Sequence, residues 1–286
     1  MQQFNSPLRY PGGKGRLTQF VIDVLKLNRL EGGHYVEPYA GGSAIAISLL
    51  QLEYVAKVHI NDLNRSVHAF WRAVLDEPEA LCNRISKTRV SMPEWHRQRA
   101  VQLAEFPDPM DLAFSTFFLN RTNRSGIILG GVIGGKEQSG KWKLDARYKK
   151  KSLIERIERI AELSHRVVLY NMDAGALLSQ VLPTLPARTL TYLDPPYYVK
   201  GKDLYQNHYV HQDHETIARL VAKVKQPWMV SYDNTPEIRE IYSKHPQRFF
   251  GLKYSAQSRY EGSEILVRSD SLKLPHEIEP SRAAAA

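Results

Sequence analysis

The sequence predicts an α/β fold, a mostly parallel sheet covered by helices and interrupted by a mainly helical insertion. Three observations carry that expectation. Near the start, HYVEPYAGGSAIAISLLQL passes from a short strand-like run through a Gly-Gly turn into an apolar helix, and AKVHI then reads as a second strand ending in NDLN. Strand, glycine turn, helix and strand in succession make a βαβ unit. In the second half, RVVLYNMD, RTLTYLDPPYY, PWMVSYDN and EILVRS are apolar runs of strand length, with helix-period stretches such as HETIARLVAKV between the later ones. Between the halves, from about Ser66 to Lys151, VHAFWRAVLDEPEALCNRI, SMPEWHRQRAVQLAE and MDLAFSTFFLNR are helix-like segments separated by polar breaks.

Taken in order, SPLRYPGGKGRL carries a Pro-Gly-Gly turn signal and reads as a loop, and TQFVIDVLKLNRL repeats its apolar positions at helical spacing. The βαβ unit and the insertion helices follow. A glycine-rich basic stretch, NRTNRSGIILGGVIGGKEQSGKWK, closes the insertion, and the helix SLIERIERIAELSHR leads back to the strands. Proline cannot donate to a sheet ladder, so the strand that begins at Arg188 must end at Pro195 and Pro196. The expected organisation is a discontinuous sheet domain of residues 1–65 and 152–275 and an inserted domain of 66–151. The tail of 276–286 ends in AAAA and reads as appended rather than folded.

A chain of 286 residues is long enough for one large domain with an insertion. No apolar run reaches the length of a membrane span, and the first residues lack a signal-peptide core, so an intracellular, soluble protein is expected. The single cysteine, Cys82, excludes an intramolecular disulfide and a cysteine-based zinc cluster. No metal-ligand cluster is visible. The net charge of +9 points to a polyanionic partner, and its distribution strengthens the point. Between residues 111 and 151, nine Lys or Arg stand against three acids, interleaved with glycine and apolar residues. Such a segment can follow a nucleic-acid groove closely.

The candidate chemistry gathers at strand ends, where open α/β sheets bind ligands. Gly41 and Gly42 let the backbone approach a ligand as the chain turns from strand into helix, with Glu37 at the strand end. The turn departs from G-x-G-x-x-G, which argues against a nicotinamide dinucleotide enzyme. Asp62 lies about twenty residues beyond the glycines, the spacing at which an acid accepts hydrogen bonds from ribose hydroxyls. TYLDPPYY brings a carboxylate, a proline-fixed backbone and two flat rings together at the end of another strand.

RYPGGK at 9–14, VEPYAGGSA at 36–44, FFLNR at 117–121, NDLN at 61–64, LDPPYY at 193–198 and SRYEGSEILV at 258–267 together resemble the Dam-like, D12-class adenine-N6 DNA methyltransferases. The likeness runs from Pro7 to about Arg268. It implies a Rossmann-like methyltransferase fold with an inserted target-recognition domain and S-adenosyl-L-methionine as methyl donor. Tyr10 and Lys14 would close over the cofactor, and Glu37, Pro38, Gly41, Gly42, Asp62, Asp173 and Asp194 match cofactor-contacting positions. Tyr10 replaces the tryptophan of some members.

The resemblance makes Asp194, Pro195, Pro196 and Tyr197 the catalytic motif. An exocyclic amine is a poor nucleophile because its lone pair is delocalised into the ring. Acceptors at the Asp194 carboxylate and the Pro195 carbonyl would hold both amino hydrogens and favour a tetrahedral nitrogen, while Tyr197 stacks on a base flipped out of double-stranded DNA. The residues after LNR would enter DNA, making Arg121, Asn123, Arg124, Ser125 and Ile127 candidate contacts, with Arg9 near the active mouth and Lys141 and Lys143 on phosphates. The segment NRTNRSGIILGGVIGG lacks the tyrosine-bearing sequence of members that read GATC, which argues against that target. A cytoplasmic enzyme of bacterial or phage origin is implied, its recognition sequence and any cognate restriction enzyme left open. A catalytically silent DNA-binding relative, cytosine N4, a glutamine side chain and RNA are the alternatives; the aspartate at the first position of the motif favours adenine.

Overall fold

The computed structural model describes residues 6–9, 14–199, 209–253 and 261–276. A seven-stranded sheet forms the centre of the described residues, in the order β3-β2-β1-β4-β5-β7-β6. The strands are β1 (His34–Glu37), β2 (Lys57–Asn61), β3 (Val167–Tyr170), β4 (Thr189–Leu193), β5 (Trp228–Asp233), β6 (Gln247–Lys253) and β7 (Glu261–Arg268). The first five pair in parallel, and β7 runs antiparallel between β5 and β6. Strand β6 was not expected from the sequence, because its apolar pair Phe249–Phe250 is too short to show a period of two. Two crossovers leave β1 and β4 as neighbours whose connections run in opposite directions, which opens a crevice at their carboxyl ends.

Alternate strand residues serve opposite faces. Tyr35, Leu190, Tyr192, Met229 and Leu266 enter one core with helices α1 (Thr18–Leu27) and α2 (Ala44–Gln51). Val36, Leu193, Val230, Ile265 and Val267 enter the other. That second core is closed by α8 (Ala174–Ala176, continued as a π-turn over Leu177–Val181), α9 (His211–Val221) and α10 (Pro236–Ile241).

Between β2 and β3 lie α3 (Arg65–Asp76), α4 (Pro78–Lys87), α5 (Met92–Leu103), α6 (Pro109–Thr122) and α7 (Lys150–Ala161). Their starts are legible in the sequence: Asn64, Ser91 and Asp108 accept backbone N–H groups as N-caps, and proline occupies the first turn of α4, α5 and α6. The insertion shares its core with the sheet. Phe70, Trp71, Phe114, Phe117 and Ile157 belong to the same apolar cluster as Tyr35 and Ile60. Cys82 is buried in that cluster on α4, as a packing residue. No helix among the described residues is long and apolar enough to cross a membrane.

Candidate active site

The acids picked out in the sequence gather along the carboxyl edge of the parallel strands. Glu37 closes β1, Asp62 follows β2, Asp173 follows β3 and Asp194 follows β4. Around β1 and β2 the arrangement is a backbone cradle. Gly41 has φ +46° and Ser43 φ +43°, so the turn into α2 is left-handed where a glycine is most easily accommodated. Asp62 accepts from the Gly41 N–H at 2.8 Å and from the Asn64 N–H at 2.9 Å. Burial nonetheless pushes its carboxyl up to about 6. Glu37 accepts from the Ala46 N–H at 3.1 Å in the first turn of α2, and burial raises it to about 7. Asp173 caps α8 through the N–H groups of Gly175 and Ala176.

Three side chains that hold this cradle escaped the sequence reading. Asn61 donates to the Pro38 and Met172 carbonyls and accepts from the Met172 N–H, tying the loop after β1 to the loop after β3. Trp71 donates from Nε1 to the Gly41 carbonyl at 2.9 Å. Ser6 donates to the Gly42 carbonyl and pins the N-terminal segment to the turn. None has a local signature, since each acts across the fold.

The second half of the crevice is built on Asp194. Ser231 on β5 donates to Asp194 Oδ1 at 2.8 Å, and the Tyr192 hydroxyl shares a 2.8 Å hydrogen bond with Ser231. Lys14 Nζ stands 3.6 Å from the same carboxylate oxygen. That ammonium also pairs with Glu264 Oε2 at 2.7 Å and donates to the Tyr197 hydroxyl at 2.5 Å, while Tyr197 donates to Glu264 Oε1 at 2.6 Å. Burial raises the Asp194 carboxyl, and the Lys14 charge and Ser231 hydrogen bond oppose it. Pro195 is buried and Pro196 half-buried. Beyond them, Asp233 accepts from the N–H groups of Tyr198 and Val199 at 2.8 and 2.9 Å, fixing the chain as it leaves the motif. Lys14 is thus brought to the Asp194 half of the crevice. Tyr10 lies outside the described residues.

The expected DNA contacts divide. Arg124 and Ser125 are exposed at the start of a loop whose base is an antiparallel bridge between Asn123 and Val132, with the Arg124 N–H bonded across it to the Gly131 carbonyl at 2.9 Å. Ile127 is half-buried, and Lys141 and Lys143 are exposed. Asn123 requires a correction, since it is fully buried rather than at the surface. Its side chain accepts from Trp95 Nε1 at 2.6 Å and donates to the Ile127 and Ile128 carbonyls, so it organises the loop. Arg121 is half-buried and donates to the Arg147 carbonyl at 2.9 Å. Burial, then the charges of Arg9, Arg156 and Arg147, push its guanidinium down to about 9. Among the described residues no carboxylate pairs with any of these four arginines.

Residues 10–259 match the family described as D12 class N6 adenine-specific DNA methyltransferase. The chain belongs to that family. It is also 23% identical over 206 residues to a type II methyltransferase of Methanocaldococcus jannaschii, across 66% of this chain and 68% of that protein. Among solved structures, an rRNA methyltransferase of Streptomyces viridochromogenes is 14% identical, with 92% of this chain and 88% of that one covered and a TM-score of 0.41. The cofactor of this D12-class chain is S-adenosylmethionine. The residues fit it: a left-handed glycine turn follows β1, and buried Glu37 and half-buried Asp62 are acceptors at adjacent strand ends, suited to hydroxyl and ammonium donors.

Proposed function

We propose that this D12-class methyltransferase methylates the N6 amino group of adenine in double-stranded DNA, acting on a base turned out of the helix. The observation that carries the reading is the Asp194 carboxylate, held from one side by Ser231 and faced by Lys14, beside the Pro195 carbonyl at the end of β4. S-adenosylmethionine, when bound, supplies a methyl group on a positively charged sulfur.

The residues of the chain do the rest by position. Asp194 and the Pro195 carbonyl accept the two amino hydrogens, drawing the nitrogen lone pair out of conjugation and toward the donor side of the crevice. Proline suits the second acceptor because its fixed φ limits where the carbonyl points. Tyr197, tethered through its hydroxyl, offers a ring face to the base. The nitrogen exchanges one hydrogen for the methyl group. Asp194 is the nearest proton acceptor on this reading, and burial keeps its carboxyl above the usual range, which favours taking that proton.

Contact with DNA is carried by two kinds of residue. Arg124 and Ser125, exposed at the start of the loop, suit base edges. Arg9, Arg121, Arg147 and Arg156 make a like-charged cluster with no carboxylate partner among the described residues, which suits phosphates, and Lys141 and Lys143 are exposed and suit phosphates as well. The test is single-molecule sequencing of DNA from a methylation-deficient host expressing the protein, beside Asp194→Ala. Methyladenine at one short motif, absent in the mutant, is the expected result. Methyladenine confined to RNA, or equal modification by the mutant, would overturn the assignment.

A further inference from the structure

We propose that Glu264 is a positioning residue for this reaction, which holds the Lys14 ammonium back from Asp194 and so keeps that carboxylate open for the target amino group. The inference rests on the adenine-methylation reading above.

Glu264 lies on β7, opposite Asp233 of β5 in the antiparallel register. The reversal of β7 therefore delivers an acid to the same edge of the sheet as the carboxyl end of β5. Its side chain is 2% exposed and that of Lys14 5%. Its two oxygens have separate tasks: Oε2 takes the Lys14 ammonium at 2.7 Å and Oε1 the Tyr197 hydroxyl at 2.6 Å. Lys14 reaches Tyr197 as well, closing a three-membered ring of ammonium, phenol and carboxylate. Within that ring the ammonium is anchored 2.7 Å from Glu264 but stands 3.6 Å from Asp194. The first distance is a charge-assisted hydrogen bond, whereas the second is beyond ordinary hydrogen-bond length and acts mainly through charge.

A buried ion pair is a weak source of stability, since desolvating two charges offsets their attraction. Its value here is geometric. Without Glu264, the buried ammonium has, among the described residues, only the Asp194 carboxylate left within reach, and closing the remaining gap would form a direct pair on Asp194 Oδ1. Such a pair would occupy an acceptor the amino group needs. With Glu264 present, Lys14 still lends positive charge to Asp194, but from a fixed distance, and Tyr197 is braced by the same carboxylate.

The test compares wild type, Glu264→Gln, Lys14→Gln and the double variant in single-turnover methyl transfer to a duplex containing the target motif, with cofactor affinity measured separately by calorimetry. Glu264→Gln is expected to slow transfer about 10- to 100-fold, the scale of a misplaced reacting group, with the cofactor Kd within about threefold of wild type. Because Glu264 acts through Lys14, adding Glu264→Gln to Lys14→Gln should cost less than about threefold more. That comparison needs no folded Glu264→Gln single variant, since the double variant leaves no uncompensated buried ammonium. Full-rate transfer by Glu264→Gln, or a further large loss in the double variant, would overturn the inference. A wild-type enzyme that forms no N6-methyladenine would instead remove the reading beneath it.

Discussion

Substitution of Asn120 tests how the loop after α6 is joined to the glycine turn that follows β1. Asn120 is 2% exposed on α6 and makes three hydrogen bonds. It accepts from the Arg9 N–H at 2.7 Å, and it donates to the Arg9 carbonyl at 2.6 Å and to the Gly126 carbonyl at 2.9 Å. Arg9 is three residues from Ser6, whose hydroxyl binds the Gly42 carbonyl and whose own carbonyl accepts from Arg156. The segment Ser6–Arg9 is therefore a strap from the glycine turn to the loop after α6, with Asn120 as its fastening. Asn120→Ala removes all three bonds and leaves one N–H and two carbonyls without their partner. At about 1 kcal/mol net per bond, plus a desolvation penalty wherever water cannot enter, the loss is about 3–5 kcal/mol. Asn120→Asp retains the acceptor but sets a carboxylate oxygen against two carbonyls, so it should be at least as damaging. Urea unfolding followed by tryptophan fluorescence measures the stability change, and calorimetry with S-adenosylmethionine measures whether cofactor affinity falls with it. A loss below about 1 kcal/mol for Asn120→Ala, on the scale of a surface substitution, would refute the strap.

Three further outcomes follow from the site and the sheet. His59 is buried between His34 and Tyr170, at 3.0 and 3.1 Å, and burial followed by the charges of His34 and Lys57 takes its imidazole down to about 4. The unfolded chain binds that proton near 6.5, so stability falls as pH drops through the window from about 6.5 to 4, by about 3 kcal/mol in all. Glu37 and Asp62, raised in the folded state, act in the opposite direction, so the check is the difference between wild type and His59→Gln across that range; an unchanged difference would refute the cost of protonating His59. Those same two carboxylates take protons between about pH 8 and about pH 5.5, so S-adenosylmethionine should bind about tenfold or more weakly at the acid end in calorimetry, and flat affinity would place the cofactor elsewhere. Arg124→Ala, at an exposed position of the loop, should relax sequence preference more than it lowers affinity, in methylation assays on a library of duplexes; an equal loss on every sequence would make Arg124 a phosphate contact.

The parts of this protein that could be read in the sequence are those encoded by neighbours along the chain. A strand that runs into Pro195 and Pro196 must end there, and an acid one residue before them must lie at the sheet edge. The N-caps Asn64, Ser91 and Asp108 mark helix starts by the same local logic. Asp62 was legible because its distance from the glycine turn is the length of one helix and one strand. The insertion boundary at residue 66 fell one position inside α3, close in number yet different in meaning, because α3 packs into the sheet's own core rather than starting a separate one.

What could not be read are the residues whose role exists only across the fold. Glu264 meets a lysine 250 positions away, Asn120 clamps a backbone 111 positions away, and Ser231 reaches Asp194 across 37. No period, spacing or turn signal connects such pairs, and each residue alone reads as an ordinary polar position in a strand or helix. Asn123 shows the same limit from the other side. In an exposed-looking polar run, NRTNRS, it reads as a surface donor, but the bridge to Val132 turns it inward, and Trp95 and two loop carbonyls take its amide. The distinction between a residue that faces outward from the loop and one that shapes the loop is made by burial. Burial at Asn123 is decided by α5, whose Trp95 lies 28 residues earlier in the chain.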